Sequence, residues 1–354
     1  MKTVLILGAT GLFGGHLARQ LITDARFDVV CAGRTESKLV SFTKAHGGRY
    51  ITFDRRTPES ALAKIKPFAV VDTAGPFQSY GTAFARACLE AGAHYLDIAD
   101  APDFVQNITR LDSLAKANTL TALSGASTTP ALTSAVLTAF NMPQIDIIET
   151  TILPGNQTPR GLSVMRAILG QVGQPMQLWE RGAWHPARGW SRLSRVALQV
   201  GSIRLTPRPA SLVNTPDSLL ATRFNAKTIL PRAGLELGLF HHALRFARVL
   251  PFPLGPFTKP AHMVAGWFQS FGSDMGGMRV RASGGGLTKT WDLIAPDGHG
   301  PKIPVQPAAL LLGQIANGQT APGARPCIAE IPLVELEAAV ARFGAQTETR
   351  ISDG

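Results

Sequence analysis

The chain has 354 residues, longer than one compact domain usually runs, so two domains are expected. Its 45% hydrophobic content can build a sizeable core, which excludes a disordered chain, and no apolar run of about 18 residues is present to span a membrane. The net charge of +11 is uneven: residues 157–260 carry 14 basic side chains against three acidic ones, Glu180, Asp217 and Glu236, while the flanking parts are nearly balanced, so an anionic partner is expected in the middle of the chain.

The arginines are scattered and no nucleic-acid-binding motif accompanies them, so no nucleic-acid partner is expected. The three cysteines, Cys31, Cys88 and Cys327, are odd in number and widely spaced. They read as buried structural thiols of a cytoplasmic protein, without disulfides or a metal site. The N-terminal apolar run is short and feeds directly into a glycine motif, so it reads as a strand and not as a targeting segment.

"TVLILG" (3–8) has the pattern of a buried parallel strand. Gly8, Gly11 and Gly14 follow with GxxGxxG spacing, and from Leu12 a helical apolar stripe begins, with Leu17, Ala18, Leu21 and Ile22. This is the arrangement a dinucleotide needs. Gly8 allows the tight turn, Gly11 the approach of backbone to a pyrophosphate, and Gly14 close packing of helix on strand, while the helix N-terminus offers its amides to the phosphates. "FDVVCAG" (27–33) is a second strand. After it, where an NAD site commonly has an acidic residue, stand Gly33, Arg34 and Thr35. Arg34 can pair with a 2′-phosphate and stack on adenine, helped by Thr35, Ser37 and Lys38, which points to NADP(H); Glu36 is a rival for the ribose, and a solvated loop arginine is the alternative.

"RYITFD" (49–54) reads as a third strand, with Asp54 near the adenine, and "PFAVVDTAGPF" (67–77) as a fourth that runs into Gly75-Pro76. Ser79 is expected to open a helix ending at Gly92. "AHYLDIAD" (93–100) is a fifth strand, with Asp100 placed to cap a helix at Pro102, and "TLTALSG" (119–125) is a sixth. Six strands alternating with helices predict a doubly wound, Rossmann-type parallel sheet in an α/β protein. Its carboxyl strand ends would gather Thr10, Arg34, Asp54, Gly75 and Asp97–Asp100 around one crevice, where Tyr95, Asp97 and Asp100 are the candidate proton donors.

"GATGLFGGHLAR", "GRTESKL", "VVDTAGPFQSYGTAFARACLEAGAHYLDIAD" and "SGASTTPAL" together resemble the NADP-binding domain of the saccharopine dehydrogenase-like oxidoreductases. The resemblance is specific over residues 1–130 and looser through "GPKIPVQPAALLLGQIANG". It implies a nucleotide domain at 1–129, an α+β substrate domain at 130–304, and a C-terminal segment, 305–354, returning to the first. It also implies Gly8, Thr10, Gly11, Leu12 and Phe13 on the pyrophosphate, Arg34 and Thr35 on the 2′-phosphate, Ala74, Gly75 and Pro76 beside the nicotinamide ribose, and a family carboxylate at Asp97. Family members include saccharopine reductases, polyamine-forming synthases and enoyl reductases of lipid intermediates.

In the second half, Thr129 and Pro130 are expected to start a helix, and 145–154 and 226–231 are strand-like. A hairpin is predicted around Gly284-Gly285-Gly286, with Arg279 and Arg281 on one face and Met278 and Val280 on the other. The Arg pair would hold an anion if its face lines a crevice and is otherwise solvated. Residues 235–257 read as a basic amphipathic helix followed by Pro-interrupted aromatics; the helical stripe (Leu239, Phe240, Ala243, Leu244, Ala247, Leu250) is either core or a peripheral membrane contact, with His241, Arg245 and Arg248 on another face.

No Tyr-x-x-x-Lys pair, GxSxG elbow, HExxH pair or P-loop lysine occurs, and no metal is expected. These readings predict an NADPH-dependent oxidoreductase delivering hydride to an imine, carbonyl or activated double bond of an anionic small molecule, with pairing of two copies through the hairpin faces left open. Two alternatives remain at this level: an enoyl reductase of a lipid-linked intermediate at a membrane surface, and a non-catalytic NADP-binding sensor.

Overall fold

The computed structural model describes residues 1–250 and 252–353 and divides into two compact units, Met1–Ala131 with Lys302–Ile331, and Leu132–Pro301 with the residues from Pro332 onward. In the first unit, runs of apolar residues become strands covered on both faces: Val4, Leu5 and Ile6 are wholly buried, as are Val70 and Val71. The strands are β1 (Lys2–Leu7), β2 (Phe27–Gly33), β3 (Arg49–Thr52), β4 (Ala69–Asp72), β5 (His94–Asp97) and β6 (Thr121–Ser124). A seventh, Gly323–Pro326, joins the edge beside β6. The order from that edge is Gly323–Pro326, β6, β5, β4, β1, β2, β3, and every pairing is parallel. The chain thus leaves β1 in one direction for β2 and β3 and in the other for β4 and β5. This is the reversal at which a doubly wound sheet opens a ligand crevice beyond its carboxyl edge.

The second unit is built on a mixed seven-stranded sheet, in the order Ser194–Val196, Arg208–Leu212, Thr228–Gly234, Ile147–Leu153, Gly276–Gly284, Leu287–Ala295, Gln346–Asp353. The predicted hairpin is present: Gly284 pairs with Leu287, Met278 and Val280 are buried, and Gly285 and Gly286 turn with φ of +58° and +76°. The C-terminal segment departs from expectation. Only its part up to Ile331 joins the first unit. The last strand pairs with Leu287–Ala295, and this backbone ladder carries the chain from Pro332 onward into the second unit.

A buried ion pair anchors the interior of the second unit. Arg208, 2% exposed, pairs with Glu236 at 2.6 Å and donates to the carbonyls of Leu153, Pro154 and Met275 and to Ser273. It ties its own strand, the end of strand Ile147–Leu153 and the segment leading into Gly276 to Glu236. Deleting one partner of such a pair strands the other charge in the interior. Arg208→Ala is therefore expected to lower unfolding free energy by about 3–5 kcal/mol, whereas loss of the exposed Arg192–Glu180 pair is expected to cost under about 1 kcal/mol. Urea denaturation of the two variants checks both values, and equal midpoints would contradict the assignment.

Candidate functional site

The site begins at the end of β1. Gly8 has φ of +86° and Gly11 donates its amide back to the Gly8 carbonyl at 2.8 Å, so the chain reverses within four residues. Gly11 then caps helix α1 (Leu12–Ile22), whose first ladder bond runs from the Gly15 amide to the Gly11 carbonyl. The amides of Leu12, Phe13 and Gly14 precede that bond, and the first turn carries no acidic side chain, so the positive end of the helix is open to an anion. Gly14 is buried against the turn: a Cβ there would lie 2.3 Å from both the Gly8 carbonyl oxygen and the Thr73 hydroxyl. Only glycine lets helix and strand approach this closely. Thr10 and Gly11 are exposed, and Leu12 and Phe13 half-buried, around this end of the helix.

Thr73 is a participant that the sequence pattern does not mark. Its amide and its hydroxyl both donate to the Leu7 carbonyl, at 2.9 and 2.7 Å, and clamp the start of the β4 loop to the end of β1. The loop is set from below by a buried ion pair, also unmarked in sequence. Asp72, wholly buried, accepts from Arg55 and from the Ala74 amide, while Arg55 donates to the Ala74 carbonyl at 3.0 Å and lies over the Tyr80 ring. Ala74, Gly75 and Pro76, all half-buried, are thereby held beside the glycine turn.

At the end of β2, Arg34 follows the last strand residue, Gly33; it is exposed, and no hydrogen bond or ion pair engages it among the described residues. Thr35 is the N-cap residue of helix α2 (Glu36–His46), but its hydroxyl makes no cap bond. Lys38 is exposed one turn along. Glu36 sits in the first turn of α2, past the strand end, with its carboxylate 3.4 Å from the Tyr50 hydroxyl. Asp54 is exposed and accepts from the Arg56 amide at 2.9 Å, closing its own turn.

The three expected proton donors separate. Tyr95 is wholly buried in the core cluster with Phe84 and Leu89, and its hydroxyl points to Asp72 at 3.4 Å. Asp97 is also wholly buried: one carboxyl oxygen accepts from the Ser124 hydroxyl and from the Gly125 and Ala99 amides at 2.8–2.9 Å. Both side chains, expected at the crevice as proton donors, are enclosed in the interior. Strand alternation does put them on one side, but that side is interior. Asp100 is half-buried and accepts from the exposed Gln78 at 3.2 Å. It does not cap the next helix, whose N-cap is Ala101.

In the second unit, Arg279 and Arg281 are paired with Asp292 and Glu149 respectively, so the hairpin arginines are neither a free anion clamp nor merely solvated. His241 also departs from expectation. It is the buried residue of helix Gly238–Ala247, bonded through Nε2 to the Ser211 hydroxyl at 2.9 Å and packed 5.1 Å from Trp190, and burial lowers its pKa to about 4. Cys31, Cys88 and Cys327 are free and buried. Among the described residues, no group of three or more His, Cys, Asp and Glu side chains is placed to hold a metal, and no helix is long and apolar enough to cross a membrane.

The geometry of the first unit agrees with comparison to known families. Residues 4–123 match the saccharopine dehydrogenase NADP binding domain. That stretch of the first unit is thus similar to a domain type that takes a nicotinamide cofactor. Among solved structures, histidine-tagged apo saccharopine dehydrogenase (L-Glu forming) from Saccharomyces cerevisiae shares the fold at 11% identity, covering 99% of this chain and 100% of that one with a TM-score of 0.67. GenD2 from gentamicin A biosynthesis, in complex with NAD, aligns at 13% identity over 100% of this chain and 97% of its own, with a TM-score of 0.47. UDP-N-acetylglucosamine 3-dehydrogenase from Acidithiobacillus ferrooxidans aligns at 11% identity over 97% and 96%, with a TM-score of 0.46. The curated proteins contain no match.

Asp97 has a measurable signature. Desolvation raises its carboxyl to about 7, against the pull of its three hydrogen-bond donors, and its second oxygen is buried without a partner. A carboxyl raised in the folded state favours the protonated form there. Its stabilising contribution is full below the unfolded value near 4 and is lost as pH rises through about 7. Relative to Asp97→Asn, the parent protein is therefore expected to lose stability between pH 4 and 7, at about 1.4 kcal/mol per unit of displacement. Parallel pH–stability curves for parent and variant would contradict this.

Proposed function

We propose that the chain is an NADP-dependent oxidoreductase that reduces an imine, carbonyl or activated double bond of an anionic small molecule. The carrying observation is the pairing of two features at adjacent strand ends: an acid-free helix N-terminus reached through Gly8, Gly11 and Gly14, and an exposed, unpaired Arg34 immediately after β2. The helix end accommodates a pyrophosphate on the amides of Leu12, Phe13 and Gly14, with Thr10 at the rim. Arg34, Thr35 and Lys38 supply cationic and hydroxyl donors for a 2′-phosphate, where a carboxylate would repel it. Asp54 borders the adenine side. Ala74, Gly75 and Pro76, held by Asp72, Arg55 and Thr73, form the wall beside the nicotinamide ribose.

The bound nicotinamide would supply hydride from its C4 carbon. The chain's own contribution is then to orient the acceptor and furnish a proton. Of the three groups the sequence singled out, only Asp100 reaches the surface, and burial raises its carboxyl, which suits it to carry a proton. The basic excess of residues 157–260 supports an anionic substrate. The buried free thiols suit the cytoplasm.

Fluorescence titration tests the cofactor choice. Losing a charge-assisted contact to phosphate, Arg34→Ala is expected to weaken NADPH binding by about 10- to 100-fold while changing NADH binding by less than about twofold. Equal losses for both cofactors would remove Arg34 from the phosphate site. Asp100→Asn is expected to leave the NADPH affinity in place and to lower turnover of any substrate found by NADPH oxidation by about 100-fold. Unchanged turnover would exclude the proton role.

A further inference from the structure

The helices Gly238–Ala247 and Thr258–Trp267 each have two apolar sides. The inner sides, with Phe240, Leu244, Ala247, Ala261 and Ala265, pack on the cluster of Met165, Leu169, Val172 and Trp190. The outer sides are apolar as well, and bare. Leu239 and Phe246, seven residues apart on one helical stripe, are 76% and 82% exposed, and on the second helix Met263 and Trp267 are 55% and 67% exposed. Val249, Phe257 and Phe271, within four residues of the helix ends in sequence, are exposed as well. Phe240 of the first helix meets Phe268, just past the end of the second, at 5.1 Å, and Phe252 meets Phe257 within the connecting segment at 6.0 Å. Apolar exposure on this scale marks a surface that meets a partner.

Charge decides which partner. From Leu237 to Gly272 there is no acidic residue, while Arg245, Arg248 and Lys259 lie among the exposed aromatics and make no ion pair among the described residues. Lys259 shares a helical stripe with Met263 and Trp267. A cavity of about 290 Å³ has Arg188, Arg248, Leu250 and Phe252 in its lining, and Arg188 there donates one Nη to the Gly173 carbonyl at 2.9 Å. In a symmetric pair of copies this patch would bring like charges together, which opposes self-association. An anionic bilayer matches every component: apolar and aromatic side chains enter the acyl boundary, and arginine and lysine meet the headgroups.

We propose that this face docks the protein on an anionic phospholipid surface. Phe246 and Trp267 are the inserted anchors, and Arg188 and Arg248 form a seat for a headgroup phosphate. The inference is independent of the hydride chemistry, since none of these residues belongs to the dinucleotide-binding unit.

Co-sedimentation of the full chain with phosphatidylcholine vesicles, and with vesicles containing phosphatidylglycerol, tests it. Binding is expected on the phosphatidylglycerol vesicles and not on phosphatidylcholine alone, weakening as salt rises. Phe246→Ser with Trp267→Ser is expected to lower the bound fraction by about tenfold. The charge reversals Arg245→Glu and Arg248→Glu should abolish the preference for phosphatidylglycerol. NADPH titration of each variant reports that the fold is intact. Absence of binding to both vesicle types would overturn the proposal. So would a dimer by sedimentation velocity that the Phe246 and Trp267 substitutions dissociate, because the covering partner would then be a second copy.

Discussion

The first unit depends on one close approach, between the turn that ends β1 and the first turn of α1. Gly14 sits where a Cβ would collide with the Gly8 carbonyl oxygen, and the Thr73 hydroxyl closes the same space from β4. Because Thr73 also holds the Leu7 carbonyl, the ends of β1 and β4 and the start of α1 become one rigid corner. That corner lies where the strand order reverses, so the open amides of α1 face the crevice and not a neighbouring strand. The buried Asp72–Arg55 pair extends the corner by fixing Ala74 through both its amide and its carbonyl. The proposed cofactor site thus rests on backbone geometry more than on ligand-specific side chains, with Arg34 as the residue that would discriminate between cofactors.

The legible part of the fold was the part whose signal is local. The buried strands of the first unit appear as continuous apolar runs, and the glycine spacing between strand and helix marks the turn. The strand Gly323–Pro326 was not legible. Its sequence, GARP, carries no strand pattern, and it is placed by pairing with β6 and by the Asp112 carboxylate accepting from the Ala324 amide. The division of the C-terminal segment was hidden for the same reason, since it follows from a long-range ladder.

Site residues divided along a similar line. Alternation correctly groups Tyr95 with Asp97 but cannot say which side of the sheet is solvent, because in a doubly wound sheet both sides are covered by helices. Helical periodicity likewise outlined the apolar stripe of Gly238–Ala247, of which Phe240, Leu244 and Ala247 pack inward, but it does not reveal the other occupants of the two sides. A histidine was taken inward by Ser211 and Trp190, while Leu239 and Phe246 were left outside. Thr73 and Arg55 carry no motif. Their importance lies in contacts with residues 66 and 17 positions away, respectively, which sequence spacing does not reveal.

The central claim is that a dinucleotide lies across the Gly8–Gly14 corner with its phosphates on the first amides of α1. Hydrogen–deuterium exchange of the protein with and without saturating NADPH addresses it at the level of backbone segments. Slowed exchange confined to residues 8–14, 33–38 and 73–76 is the result this account requires. Unchanged exchange at residues 8–14 in protein shown to have bound NADPH would contradict it, because the cofactor would then be held elsewhere and the glycine turn would serve packing alone.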